Sequence, residues 1–439
     1  DYNTLVGLTS DDSFGYSITD GTANIFDANG AFLPGVSNVL SGSSNLVITD
    51  AQTLTAAEIS ILNTFAASNS GVNLPPIVQE DISSLSRAYT EDSGAGETTL
   101  NGSIKFSDAN TADVYDSSKV SFAPIDGALG DFALTLVNNP GIASGRSVSW
   151  QYVLNNSATQ YLAQGEVKTE TYTVTFNDQN GGTATTNVTV SITGTNDVPV
   201  LTSITTTGSG AEDVGVVSDD VVVTGALSFT DADIADTHTF SATYNNDVVW
   251  SGGTLDANAV TAIGNSITLV ATAQGWTAQI ANNQLQEMAA GETLTFSFDV
   301  TVADSSGGSA TDTVTVTIDG TNDAPVATFT MAQTATEDVA TISGTLTSTD
   351  VDINNTTASY AVVGSAIDGL SIAANGAWSF DPTDAAYQYL ADGETLDIDV
   401  TYSVTDDQGA SDTATFTITV TGANDAPVAT FTTAQAATE

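Results

Sequence analysis

The sequence contains no cysteine, a single histidine and only five basic residues in 439. Without cysteine there are no disulfides, no thiolate nucleophile and no Cys-ligated zinc or iron–sulfur site, and the redox compartment leaves no trace in the chain. A Ser-His-Asp triad would have to use His238, whose setting in Thr237-His238-Thr239-Phe240 reads instead as an alternating strand. Five Lys plus Arg against 53 Asp plus Glu give a formal net charge of -48. Such a surface repels nucleic-acid phosphates and anionic lipid, so neither is expected as a partner. No apolar run approaches the roughly 18 residues of a membrane span, which argues against direct membrane insertion. Asp1 opens no basic, apolar signal peptide, so any export signal is expected outside this chain.

What is present is a foldable acidic chain. Hydrophobic residues make up 41%, in short alternating runs, which separates it from a disordered acidic tail. Of the 53 acids 41 are Asp, a residue favoured in turns and metal loops rather than in helices or strands. The charge is therefore expected in loops. The length suits several domains rather than one core.

A repeat organises the chain. Gly194-Thr195-Asn196-Asp197-Val198-Pro199-Val200 recurs as Gly320-Thr321-Asn322-Asp323-Ala324-Pro325-Val326 and Gly422-Ala423-Asn424-Asp425-Ala426-Pro427-Val428. Upstream, Gly165-Glu166, Gly291-Glu292 and Gly393-Glu394 each precede an Asp (Asp178, Asp304, Asp406) by 12 residues, and that Asp precedes the Asn-Asp aspartate by 19. The units are 126 and 102 residues long, and the excess of 24 reads as longer loops. The spacing places repeats at 75–197, 198–323 and 324–425, after a segment 1–74 that does not match. Residues 426–439 copy the start of repeat three, as the first strand of a further repeat or a strand donated to another molecule.

Period-two alternation in Tyr172, Val174 and Phe176, in Val314, Val316 and Ile318, and in Phe416, Ile418 and Val420 predicts half-buried strands with Thr facing outward. Repeats of about 100 residues with such strands fit an all-β fold of tandem immunoglobulin-like, seven-stranded β-sandwiches. Within 1–74, Thr55-Ala56-Ala57-Glu58 has capping-box form ahead of Ile59, Leu62 and Phe65, predicting a short helix over about 56–66. Turn signals at Asp20-Gly21 and Asn29-Gly30 read as belonging to another β-rich domain.

Strand parity sorts the acidic motifs. Glu212-Asp213 and Glu337-Asp338 follow the first strand of their repeats and fall at the bottom, with the Gly-Glu turns and the Asn-Asp linkers. Asp231 and Asp233, Asp350 and Asp352, Asp304 and Asp406 fall at the top. The bottom of one repeat meets the top of the next, so Glu212, Glu292, Asn322, Asp323, Asp350, Asp352 and Asp406 are expected around one linker. Left bare, such a cluster repels itself. A hard cation with six to eight oxygen ligands relieves that repulsion, and loops from two domains suit calcium better than strictly octahedral magnesium. The other candidate ligands are Glu91, Glu166, Asn196, Asp197, Asp231, Asp233 and Asp304, then Glu337, Asp392, Glu394, Asn424 and Asp425.

Asp319-Gly320-Thr321-Asn322-Asp323-Ala324-Pro325 resembles the cadherin linker, and Leu390-Ala391-Asp392-Gly393-Glu394 resembles its acidic turn before the sixth strand. Over about 75–439 the repeat is similar to the VCBS and cadherin-like tandem repeats of large bacterial surface adhesins of RTX-adhesin type. The resemblance implies an exported, elongated, calcium-stiffened rod used in adhesion or biofilm matrix. Two departures stand out: the first linker reads Asn73-Leu74-Pro75-Pro76, and the first repeat has Asp108-Ala109-Asn110 and Gln164 at the matching sites, so that joint is expected to bind calcium weakly or not at all. Three readings follow. The first is a non-enzymatic extracellular stalk at a bacterial surface, holding a surface or glycan ligand. The second is a filament or surface-layer subunit joined end to end through 426–439, although a longer chain continuing there would look the same. The third is a carbohydrate-binding module using Trp150, Trp250, Trp276 or Trp378, although one or two tryptophans per sandwich is the usual core complement and the core reading is preferred.

Overall fold

The computed structural model describes strands Ser17–Asp20 and Asn45–Ile48, scattered helical residues between 57 and 64, and residues 74–430 apart from 95–97, 109, 111, 138–144 and 355–357. Ala57, Glu58, Ser60, Ile61 and Thr64 are helical, within the stretch expected to form a helix. The two early strands pair in parallel. Gly21 and Asn29-Gly30 lie outside the described residues, as do 431–439 and with them most of the strand expected after Pro427. Val428 is exposed and in no strand.

By compactness the chain divides into two units. One holds the chain to Pro199 together with Asp231–His238 and Asp304–Gly308; the other holds Val200–Thr230, Thr239–Ala303 and Ser309–Glu439.

In the first unit, alternating residues build a sandwich of two four-stranded sheets. One sheet runs in the order Ile77–Val78, Thr98–Ser107, Arg146–Leu154, Gly130–Val137. The other runs Ser86–Thr90, Thr183–Thr193, Val167–Asn177, Val120–Phe122. The seven expected strands are present with the first divided into two pieces, one per sheet. Ile77–Val78 pairs antiparallel with its neighbour, whereas Ser86–Thr90 lies parallel to the last strand from Ser86 opposite Thr189 to Thr90 opposite Thr193. Between the sheets, Tyr172, Val174, Phe176, Val188, Val190 and Ile192 are buried, and the intervening threonines face outward.

The second unit repeats the plan twice. In its first sandwich Thr207–Ala211 lies parallel to Ser309–Asp319, which pairs antiparallel with Thr293–Ala303; in its second, Gln333–Thr336 lies parallel to Ser411–Thr421, which pairs with Thr395–Thr405. The longer repeat does not carry merely a longer loop. The segment 245–267 holds the short strand Val249–Trp250 and an α-helix, Ala257–Ser266, where the following sandwich has only 363–369. Asp256 caps it by accepting from the amides of Asn258 and Ala259, and Ile263 turns into the core.

Three tryptophans key the sandwiches. Trp150, Trp276 and Trp378 lie opposite Gly102, Gly225 and Gly344 on the neighbouring strand and are 1–3% exposed. The indole N–H of Trp150 donates to Ser84 O and that of Trp276 to Thr205 O. Each indole lies across its glycine, so a Cβ at Gly225 would overlap the Trp276 ring. Gly225→Ala is therefore expected to cost about 1–3 kcal/mol by overpacking, read as a lower urea midpoint for the second sandwich. Trp250 is only partly buried and donates to Glu292 Oε2 at 3.0 Å. No helix among the described residues is long and apolar enough to cross a membrane.

Candidate metal centres

Each sandwich places a glutamate at the same point. The strand parallel to the last one ends at Thr90, Ala211 or Thr336. The next amide, of Glu91, Glu212 or Glu337, donates to the carbonyl of Thr193, Asp319 or Thr421. That bond turns the side chain inward, and all three glutamates are 0–1% exposed. The aspartate that follows each of them, Asp92, Asp213 or Asp338, adopts a left-handed backbone with φ of 55, 57 and 62°. Asp tolerates that conformation better than a branched residue, and it brings a second carboxylate beside the first.

Within the second unit this glutamate meets the linker and the top loops of the next sandwich. Carboxylate oxygens of Glu212, Asp213 and Asp323 lie within 4.8 Å of one another. The Asp323 amide donates to Asp352 Oδ2 at 3.0 Å, and Asn322 Nδ2 donates to Asp406 Oδ2 at 2.8 Å. Asp406 is fixed by the amides of Gln408, Gly409 and Ala410, and Asp350 accepts from the Asp352 amide. Burial, reinforced by the charges of Asp323 and Asp213, pushes Glu212 up to about 8. Burial, with Asp323, Asp350 and Asp406 nearby, pushes Asp352 up to about 6. Burial alone would raise Asp406 too, but its bonds from Asn322, Ala410, Gly409 and Gln408 outweigh it and hold the group below the ordinary range.

The first unit repeats the arrangement. The Asp197 amide donates to Asp233 Oδ2 at 2.9 Å, Asn196 Nδ2 donates to Asp304 Oδ2 at 3.1 Å, and Asp304 accepts from the amides of Ser306, Gly307 and Gly308. Glu91 accepts from the Thr195 amide and from Gln160 Nε2. Burial raises Glu91, Asp197 and Asp233 above their ordinary values, with neighbouring carboxylates adding to the effect. His238 is not in a strand: it sits one residue ahead of Thr239–Tyr244, with Nε2 2.8 Å from Asp231 Oδ2.

The remaining candidates lie elsewhere. Glu166, Glu292 and Glu394 each turn back to accept the amide three residues earlier, of Ala163, Ala289 and Ala391. Glu292 also takes donors from Trp250 and Asn354. Their carboxylates close the turn and are not brought into the clusters. Asp392 is exposed beside one of these turns. Glu337 accepts from the Ala423 amide, while Asp425 is exposed and its carbonyl accepts from Asn424.

Strand parity sends Asp213 to the same end as Glu212 without making it a ligand, and it does not mark the glutamines. Gln160 and Gln286 donate to Glu91 and Glu212, and they stand at one offset ahead of Glu166 and Glu292, shared by Gln388 ahead of Glu394. That regularity was a usable signal.

The chemistry of the donor set tests whether a cation fits. Asn196 Oδ1, Asp197 Oδ2, Asp233 Oδ1 and Asp236 Oδ2 at one cluster, and Glu212 Oε2, Asp323 Oδ2 and Asp352 Oδ1 at the other, are buried and receive no hydrogen bond among the described residues. A buried acceptor left this way costs about 1–3 kcal/mol, and more when charged. These orphaned atoms are all oxygens, as a calcium shell requires, and the residues present fit the ion.

Residues 322–422 match the model of the bacterial cadherin-like domain. Among solved structures, mouse cadherin-23 EC22-24 aligns at 13% identity and TM-score 0.37, covering 80% of this chain and 100% of that one. Drosophila N-cadherin EC1-4 aligns at 14% identity and TM-score 0.32, covering 81% and 78%. Comparison with curated proteins gives no match.

Proposed function

We propose that the chain is a non-enzymatic, extracellular structural protein, a tandem-repeat stalk of a bacterial adhesin or matrix fibre in which calcium fastens consecutive sandwiches. The supporting observation is the set of buried carboxylate and amide oxygens that receive no hydrogen bond at both linkers. Glu212, Asp213, Asp323 and Asp352 would hold one ion and Glu91, Asp197 and Asp233 another, with Asn322 and Asn196 positioning Asp406 and Asp304 at the rim. The ion supplies charge neutralisation and cross-linking. The protein's own residues fix the approach of the loops through the Asp323-to-Asp352 and Asp197-to-Asp233 bonds.

Calorimetric titration of chelator-treated protein tests the reading. Calcium is expected to bind the full chain, and Asp323→Asn is expected to lose uptake at one linker with its sheet signal in circular dichroism unchanged, because the ligand lies outside either core. No heat and no change in melting on adding millimolar calcium would overturn it.

A further inference from the structure

All five Lys and Arg residues fall between Arg87 and Lys168, so the second and third repeats have neither. Two of the five, Arg146 and Lys119, stand at the top of the first sandwich, where the other sandwiches present carboxylates to a linker. The backbone there keeps the same form. The Leu74 amide donates to Asn110 Oδ1 at 2.7 Å, as the Asp197 amide does to Asp233 and the Asp323 amide to Asp352. The side chains differ: Leu74 and Asn110 stand where the two other linkers have aspartates, which removes two carboxylates.

Two of those that remain are deeply buried. Asp108 is 1% and Asp178 0% exposed; Asp108 accepts from Tyr115 Oη at 2.5 Å, and Asp178 from the amides of Asn180 and Gly182. Asp113 lies beside them, accepting from Asn180 Nδ2. Arg146, 3% exposed, has its guanidinium 5.2 Å from the centroid of the Tyr115 ring, whose hydroxyl bonds Asp108. Burial raises Asp108, to about 6, and Asp113 above their ordinary values, and the positive charge of Arg146 opposes that rise in both. Lys119 approaches the same ring at 5.7 Å, attracts Asp113 and donates to Asp178 O at 3.4 Å. Four residues ahead of the strand tryptophan, where Arg146 precedes Trp150, the other sandwiches have Thr272 and Ala374, which carry no charge.

We infer that the top of the first sandwich is closed by the protein's own cations, Arg146 with Lys119, in the position a metal ion takes at the other linkers, so that this end keeps its structure without calcium. The guanidinium is permanently charged and forked, and can face several carboxylates at once. Removing it leaves a buried, uncompensated acidic group, which is strongly destabilising. Closure by these cations does not depend on whether calcium occupies the other two sites.

Hydrogen–deuterium exchange of the full chain, in calcium and in chelator, tests it. In the wild type, peptides spanning 104–119 and 174–183 are expected to exchange equally in both conditions. In Arg146→Gln they should exchange at least about tenfold faster. Adding Asp113→Asn to that variant should restore protection, because losing one carboxylate removes the need for the cation; a packing role for the arginine would not be rescued this way. The double variant also answers the question should Arg146→Gln alone fail to fold. Faster exchange of these wild-type peptides in chelator, wild-type rates in Arg146→Gln, or failure of the double variant to recover would overturn the inference. Peptides spanning 207–214 and 319–325 report separately on the calcium reading.

Discussion

Glu212→Gln is expected to raise the stability of the metal-free protein at pH 8 while removing the increment that calcium gives at that linker. The two effects have opposite signs for one cause. Glu212 is fully buried, lacks a donor to Oε2 and lies against Asp213 and Asp323. Its charge is costly unless a cation answers it. Glutamine has nearly the same shape and offers two N–H donors to the neighbouring carboxylates, so relief of about 1–3 kcal/mol is expected without metal. The same substitution removes a ligand. At calcium about 100-fold above the dissociation constant a site contributes about 2.7 kcal/mol, and the variant should forgo most of that. Melting in chelator and in calcium reads both. A variant less stable than wild type in chelator would show that Glu212 serves the fold rather than a cation.

The second large effect is in pH. Glu212 at about 8 and Asp352 at about 6 bind protons more tightly in the folded protein than at their ordinary values of 4.5 and 3.8. A raised carboxyl favours the folded state while protonated. Its contribution is complete below the ordinary value and is lost as pH climbs through the raised one. Metal-free protein is therefore expected to lose stability as pH climbs from about 3.8, the ordinary value of Asp352, to about 8, the raised value of Glu212. Asp304 and Asp406, held low, act oppositely and only as pH falls below about 3.8. Calcium must displace the protons it meets, so binding near pH 7 should release protons and weaken as pH falls toward 6. Titration in two buffers of different ionisation enthalpy measures the release. Zero release, or metal-free protein that gains stability between pH 5 and 8, would contradict the assignment.

The sandwiches were legible because their strands obey a simple rule: every second residue of 172–176 or 314–318 is apolar, and burial follows it residue by residue. The helix Ala257–Ser266 was not legible. Its extra length reads equally well as loop, and only Asp256 and the spacing to Ile263 mark it. Parity placed Glu212 and Asp323 at one end and Asp352 and Asp406 at the other, as the folded chain does. It also sent Glu292 into the cluster, because a count of strands locates a loop without saying which backbone amide will take a side chain. The amide of Ala289, three residues earlier, takes this one. Parity sends Asp213 to the same end as Glu212 but not into the ligand set for a related reason: its reach depends on a left-handed φ of 57°, which a pattern of residue types does not display.

The parallel pairing of each sandwich's divided first strand with its last strand also fixes how the fold meets force. Ser86–Thr90 against Thr189–Thr193, and Thr207–Ala211 against Thr315–Asp319, join the entering and leaving ends of one sandwich. Tension that draws those ends apart runs along both strands in opposite senses, so the hydrogen bonds of the pair are strained together in shear. An antiparallel hairpin pulled from its open end would unzip rung by rung. Tension on the two ends first reaches the short piece of the divided strand in the other sheet, Ile77–Val78 or Val200–Ile204, and beyond it meets every rung of the parallel pair together.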